Sequence, residues 1–228
     1  MWSWTRQSVA WYARAAEQST YHADLARAMQ PFINPDWALA DMGCGLGFLS
    51  LELAGLAARV EAFDTDPLAL RELERRVAAR GIANIHPRLE DAMACTERFG
   101  CCVLCFFGQP GRMAASFLER AGRVLAVVNA RDFRALVPGR GRQGMESDAE
   151  TAAFLEGAGI PYKRVPLELE FGQPLDSFEE ALAFATHYGR DASAGEAERW
   201  LEARLVKLGD GSYYLPHAKK LALYAFPA

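Results

Sequence analysis

Asp41-x-Gly43-x-Gly45-x-Gly47 carries the strongest chemical signal in the chain. Glycine at such positions permits positive φ and lets a ligand come close to the backbone. The helix that follows offers unpaired N–H groups and the positive end of a dipole, which suit a carboxylate as well as a phosphate. Two more carboxylates lie downstream: Asp64, in Val60-Glu-Ala-Phe-Asp64 and 17 residues after Gly47, and Asp91, in Leu89-Glu90-Asp91-Ala92. Each follows a run that reads as a strand. A carboxylate in the place of Asp64 can accept both hydroxyls of a ribose.

Other reactive side chains are scattered. Proton acceptors are His86, His187, Tyr188, Tyr213 and His217; the His187-Tyr188 pair is preferred because it ends an inserted helix able to cover a pocket. Cys101, Cys102 and Cys105 share one apolar stretch, and the five cysteines are an odd number with no second ligand pair. They read as buried thiols, with no disulfide framework and no metal site expected. Phe106 and Phe107 close that stretch and would wall off water. Trp2, Trp4, Trp11, Tyr12 and Tyr21 read as an aromatic helix face packed on the domain. Arg140 and Arg142 read as part of a solvated loop at 139–144.

These residues need a scaffold. Apolar runs at 37–42, 59–63, 85–89, 101–107, 123–129, 162–171 and 220–226 read as strands. Helical patterns cover 1–30, 48–58, 66–81, 113–121, 147–156, 177–188 and 194–208. Asp66-Pro67 opens its helix as N-cap and first-turn proline, and Gly81 closes it. Ser147-Asp-Ala-Glu150 and Ser177-Phe-Glu-Glu180 read as capping boxes. Alternating strands and helices predict a parallel sheet with crossover helices. With 228 residues, 51% hydrophobic, the chain suits one domain with a sizeable core. Its 25 Lys and Arg against 29 Asp and Glu do not favour a nucleic-acid partner. No apolar run approaches the roughly 18 residues of a membrane span, and the N-terminus has no signal-peptide core. A cytoplasmic protein with no membrane partner is expected; the residues leave the oligomeric state open.

The dinucleotide fingerprint G-x-G-x-x-G/A asks for a small residue where Phe48 stands, and the third glycine comes one residue early, at Gly47. The spacing G-x-G-x-G, with Asp41 two positions ahead, resembles motif I of class I S-adenosylmethionine (SAM)-dependent methyltransferases. Asp64 is similar to the acid that ends the family's second strand, and Leu89-Glu90-Asp91-Ala92 resembles its motif III. The resemblance covers residues 35–130. It implies a Rossmann-like α/β fold: a seven-stranded, mostly parallel sheet of order 3-2-1-4-5-7-6, the last strand antiparallel, with helices on both faces. It implies SAM as cofactor and S-adenosylhomocysteine (SAH) as product, held by Asp41, Gly43, Cys44, Gly45, Gly47, Asp64, Thr65, Asp91, Ala92 and Phe106. Asp64 would take the ribose, Asp91 the adenine amino group, the Ala92 N–H the ring, and Cys44 would act through its backbone alone. The chain would be a single methyltransferase domain over 1–228, with a helical cap at 1–34 and a helical lid at 172–215 between the last two strands.

The family's strand-four Asp is missing from Phe99-Gly100-Cys101-Cys102-Val103. After Phe106 there is neither the Asn/Asp-Pro-Pro-Tyr/Phe of amino-methylating DNA and glutamine enzymes nor the Pro-Cys of cytosine C5 enzymes; Gln109-Pro110-Gly111 stands there. The expected activity is methyl transfer to a small-molecule acceptor, at O, N, S or C. An NAD(P)-dependent oxidoreductase and a non-catalytic SAM-binding protein are the alternatives.

Overall fold

Strands and helices alternate as the local residues dictate, in a computed structural model that describes residues 3–130, 146–189 and 193–227. The chain opens with α1 (Arg6–Glu17) and α2 (Tyr21–Met29). There follow β1 (Ala38–Met42), α3 (Phe48–Leu53), β2 (Arg59–Asp64), α4 (Pro67–Arg80), β3 (Ile85–Leu89), β4 (Phe99–Cys105), α5 (Ala114–Leu118) and β5 (Ala121–Asn129). The second half holds α6 (Asp148–Gly157), β6 (Lys163–Glu170), β7 (Gln173–Leu175), α7 (Phe178–Tyr188), α8 (Ala194–Glu202), β8 (Val206–Lys207), β9 (Tyr213–Leu215) and β10 (Ala218–Phe226). Arg140, Arg142 and Trp2 lie outside the described residues.

Caps set several of these boundaries. Asp66 accepts the N–H groups of Leu68 and Ala69 at the start of α4, and Gly81 ends that helix at φ +62°. Ser147 and Glu150 form the predicted capping box of α6. Ser177 accepts the Glu180 N–H, but the Glu180 carboxylate takes the Asp176 N–H (2.7 Å) and not that of Ser177, so the predicted box does not close. The carboxylate also accepts from Trp11 Nε1 (3.0 Å) and Arg14 (2.9 Å), tying α7 to α1.

The main sheet has the order β3-β2-β1-β4-β5-β10-β6, with β10 antiparallel to both its neighbours. With β10 as the family's seventh strand, this is the expected order. Strand alternation feeds two cores. Cys101 and Val103 face the side covered by α1 to α4, and Cys102 and Leu104 face the side covered by α5 and α6. Burying each large apolar side chain of this kind, Phe63 or Phe117 for example, contributes about 1.5–3 kcal/mol.

The insertion between β6 and β10 is more than helical. It holds α7 and α8 around a small core of Trp11, Leu175, Phe184, Leu201 and Leu215, and adds a three-stranded sheet, β7-β9-β8. The helix expected at 194–208 stops at Glu202 because the next residues enter a hairpin. Gly211, at φ +89°, and an Asp210 side chain that accepts the Ser212 N–H make its turn. Among the described residues, no helix is long and apolar enough to cross a membrane.

Candidate cofactor site

The C-terminal ends of β1 to β4 meet on one edge of the sheet, the edge where open α/β sheets take ligands. There β1 runs into a turn with Gly43, Gly45 and Gly47 at φ +75°, +56° and +75°. A Cβ on Gly43 would sit 2.4 Å from the Phe107 ring, and one on Gly47 would sit 2.3 Å from Leu73. Packing and backbone conformation both demand glycine at these two positions. Gly45 is different: its missing Cβ would face only the Trp4 indole, at 3.5 Å.

The loop's own hydrogen bonds change what it can bind. The N–H groups of Gly43 and Cys44 both donate to the Phe63 carbonyl (2.9 and 2.8 Å), and that of Gly47 to the Cys44 carbonyl (3.0 Å). The Gly45 N–H donates to Asp64 Oδ2 (2.8 Å). These four donors, which a phosphate would need, are engaged inside the protein.

Four carboxylates lie at or just past these strand ends. Asp41 is buried and accepts from Ser50 Oγ at 2.5 Å. Burial first, and then the negative charge of Asp64, push its carboxyl up to about 6 against the lowering effect of Ser50. Asp64 is half-buried, its second oxygen accepting the Asp66 N–H at 2.9 Å. Asp66 caps α4 and also accepts the backbone N–H of Trp4 at 2.9 Å, which fastens the start of the chain beside the loop. Asp64 pairs with Leu89 in the β2–β3 register, and its carbonyl accepts the Glu90 N–H, so Asp91 follows directly. Asp91 is exposed and accepts the Met93 N–H (2.9 Å); Ala92 behind it is buried and Thr65 is exposed.

Phe106, just past β4, holds φ +53°, a strained value for a residue with a Cβ. Its N–H donates to the Val127 carbonyl. Cys101, Cys102 and Cys105 are free thiols. Burial pushes Cys102 and Cys105 up to about 12. Among the described residues, no group of three or more His, Cys, Asp or Glu is arranged to hold a metal ion.

The structure leaves most of the predicted proton acceptors apart. His86 is exposed on β3, Tyr213 packs against Phe178 on the small sheet, and His217 is buried after β9. His187 is exposed, with its ring 5.5 Å from Trp11. Tyr188 is half-buried, 6.0 Å from Trp11 and 4.8 Å from Phe184.

The imidazole that does sit among these groups is His22, which belongs to no motif in the sequence. Its Nε2 lies 3.0 Å from the Tyr12 hydroxyl, and its ring stacks on Phe48 at 5.5 Å. Burial first, then the nearby Lys219 ammonium, push it down to about 3, so it is neutral at pH 7. Burial, with Cys105, Asp41 and Tyr188 nearby, pushes the Tyr12 phenol up. One signal was legible: His22, Leu25, Ala26 and Met29 form the buried stripe of α2, and a polar ring in such a stripe calls for a partner. Glu146 was missed as well. It is buried and accepts from the Gly111 and Arg112 N–H groups and from Thr151 Oγ1 (3.1 Å), which pins the segment after β4 to α6.

No family model matches the sequence. The ribosomal protein L11 methyltransferase of a Nitratiruptor species is 40% identical over 55 residues, 24% of this chain and 20% of that protein. The match therefore spans about a fifth of that relative's length. Among solved structures, the YcgJ protein of Bacillus subtilis is similar at a TM-score of 0.59 and 13% identity, over 90% of this chain and 98% of that one. A SAM dependent methyltransferase from Aquifex aeolicus is similar at 0.52 and 14%, over 89% of each chain. The 4+2 cyclase SpnF is similar at 0.54 and 16%, over 89% of this chain and 79% of that one.

The chain has the Rossmann-like fold of class I SAM-dependent methyltransferases. Likeness at 13–16% identity defines the fold alone; a cyclase carries it too, so activity has to be argued from the site.

Proposed function

We propose that this protein is a SAM-dependent methyltransferase acting on a small molecule in the cytoplasm. The observation that carries the reading is the loop's electrostatics. Asp41 and Asp64 flank it, close enough that the Asp64 charge raises the Asp41 carboxyl, and four of its N–H groups are engaged. A dinucleotide would press its diphosphate against two carboxylates and find these donors taken. A zwitterionic sulfonium cofactor suits the same surroundings, because opposite charge nearby favours both partners.

The chain's own residues then divide the work. Asp64 is preset: each oxygen accepts one backbone N–H and keeps a lone pair for a ribose hydroxyl. Asp91 and the Ala92 N–H would read the adenine, and Leu89, 64% exposed beside Asp64 in the register, offers apolar surface to its ring. Asp41, anchored by Ser50, would hold negative charge near the cofactor's cationic end. Gly43, Gly45 and Gly47 let the backbone come close, Cys44 and Thr65 would contact through the loop and strand end, and Phe106 would keep water from the reacting centre. Bound SAM supplies an electrophilic methyl group, and SAH is left behind. Positioning two reactants in line is most of what such a displacement asks of a protein. Residues 1–34 would act as the cap and 172–215 as the lid. His187 and Tyr188 stay as proton-acceptor candidates; Tyr188 is the better placed, since it belongs to the surroundings of Tyr12.

Thermal shift with SAM, SAH and NAD, followed by transfer of labelled methyl to extracted metabolites, tests the reading. Stabilisation by SAM and SAH together with label in a small molecule is expected. Stabilisation by NAD alone would overturn it.

A further inference from the structure

α1 belongs to two bodies at once. Val9, Ala15 and Ala16 of this helix are buried in the main core, on the side of α2 to α4. Trp11, 2% exposed, turns the other way, into the small core of the insertion. Among the described residues it is the one buried member of that core that residues 172–215 do not supply themselves. Its ring packs on Phe184 at 5.3 Å, its Nε1 donates to Glu180 (3.0 Å), and its carbonyl accepts from Nε2 of the buried Gln173 (3.1 Å). Arg14, one turn on, pairs with Glu180 (2.9 Å) and Asp176 (3.1 Å). A second hold lies at the stem of the insertion. There the Phe171 N–H donates to the His217 carbonyl (2.8 Å), and Glu170 accepts from the Tyr214 hydroxyl (2.7 Å) and the His217 N–H (2.8 Å). A lid fixed at its stem and on α1 cannot swing without α1.

The other end of α1 touches the cofactor loop. Trp4, just ahead of the helix, donates its backbone N–H to Asp66 (2.9 Å), and its indole lies 3.5 Å from where a Cβ on Gly45 would stand. Thr5 and Ser8 close a capping box behind it, so the lead-in and the helix form one piece. Tyr12, next to Trp11, meets the Trp4 ring edge-on at 5.4 Å. A helix of 12 residues holds little order of its own in water, so α1 takes its order from these contacts.

We infer that α1 transmits occupancy of the cofactor site to the lid: a ligand on the glycine loop holds Trp4 and α1 in place, and Trp11 then holds the insertion. The inference rests on the cofactor reading above and adds regulation to it, since the cofactor prepares the lid that the acceptor meets. Trp11 is a positioning residue in this scheme. It acts through α1 and α7 and touches neither reactant.

Amide hydrogen exchange on the full chain, with and without saturating SAH, tests it. Exchange in α7 is expected to slow by about fivefold or more with SAH, the lower end of coupling between sites. α6, on the other face of the sheet, should change by less than about twofold, which separates the effect from general stabilisation. In Trp11→Leu, SAH should still slow exchange at 43–47 and no longer slow α7. A residue that merely packs would quicken α7 equally with and without SAH. Should the Leu variant leave α7 exchanging at the unfolded rate, Trp11→Phe decides. It keeps a ring against Phe184 and loses only the bond to Glu180, so α7 should stay protected while the SAH effect on it shrinks. An α7 that ignores SAH while 43–47 responds, an equal effect on α6, or a full α7 response that survives these substitutions overturns the inference and leaves the cofactor reading standing. A wild-type chain that fails to bind SAH in calorimetry overturns the cofactor reading itself, and this inference with it.

Discussion

The C-terminal edge of the main sheet has two unlike halves. One holds the glycine loop, Asp41, Asp64 and Asp91, whose carboxylates accept from backbone N–H groups and one hydroxyl. The other gathers Tyr12, Tyr21, His22, Phe171 and Lys219 in ring contacts and one side-chain hydrogen bond. Backbone donors depend on the path of the main chain and not on residue type. Ring contacts are lost with single substitutions.

Breaking the acidic half should give the largest effect. If Asp64 holds the ribose as proposed, Asp64→Ala takes away two charge-assisted bonds worth about 1.5–3 kcal/mol each. SAH affinity by calorimetry should fall by about a hundredfold or more, with the circular dichroism spectrum unchanged. Binding retained within a few-fold would remove the ribose role. Next comes the loop. Gly47→Ala meets Leu73 at 2.3 Å as well as the strain of φ +75°. It should cost about 2–4 kcal/mol in denaturant unfolding, whereas Gly45→Ala, in ordinary contact with Trp4 at 3.5 Å, should cost about half of that. Equal costs would mean that packing does not separate the two glycines. In the aromatic half, Tyr12→Phe leaves His22 Nε2 without its partner, and about 1–2 kcal/mol of stability should go while SAH affinity holds within about twofold.

The remaining effect is one of pH, and it has opposite signs in the two halves. Asp41, up at about 6 from an ordinary 3.8, holds its proton longer in the folded chain, so its contribution to stability falls as pH rises through that window. His22, down at about 3 from an ordinary 6.5, is protonated less readily when folded, so its contribution rises with pH between those values. Between about pH 4 and 6 the two oppose each other. Relative to wild type, Asp41→Asn should make the melting temperature climb more steeply with pH there, and His22→Asn less steeply. Identical slopes in all three proteins would erase the distinction.

The two halves were unequally legible in the sequence. Asp41 to Gly47, Asp64 and Asp91 lie within one stretch and end successive strands, so spacing alone sets them side by side. Lys219 belongs to no motif and lies just outside the strand read at 220–226; only the β10 register places it with Leu221 and Leu223 on the side of α1 and α2. Phe171 reads as the end of a strand, and nothing local ties it to Tyr21, 150 positions earlier. The β7-β9-β8 sheet was hidden for a related reason: its strands are two or three residues long, too short for a period of two to show. Contacts between distant segments are set by topology, which spacing records only where the segments are neighbours.

The hold of Asp66 on the Trp4 backbone has a practical side. The polypeptide comes into the fold across the mouth of the glycine loop, with an indole laid over Gly45, and leaves from the far edge, where Phe226 pairs with Val124 near the start of β5. Anything fused ahead of Trp4 therefore hangs over the binding edge, whereas a fusion behind Phe226 emerges on the opposite side of the sheet. A purification tag belongs at the second end, and a reporter meant to feel ligands arrive belongs at the first.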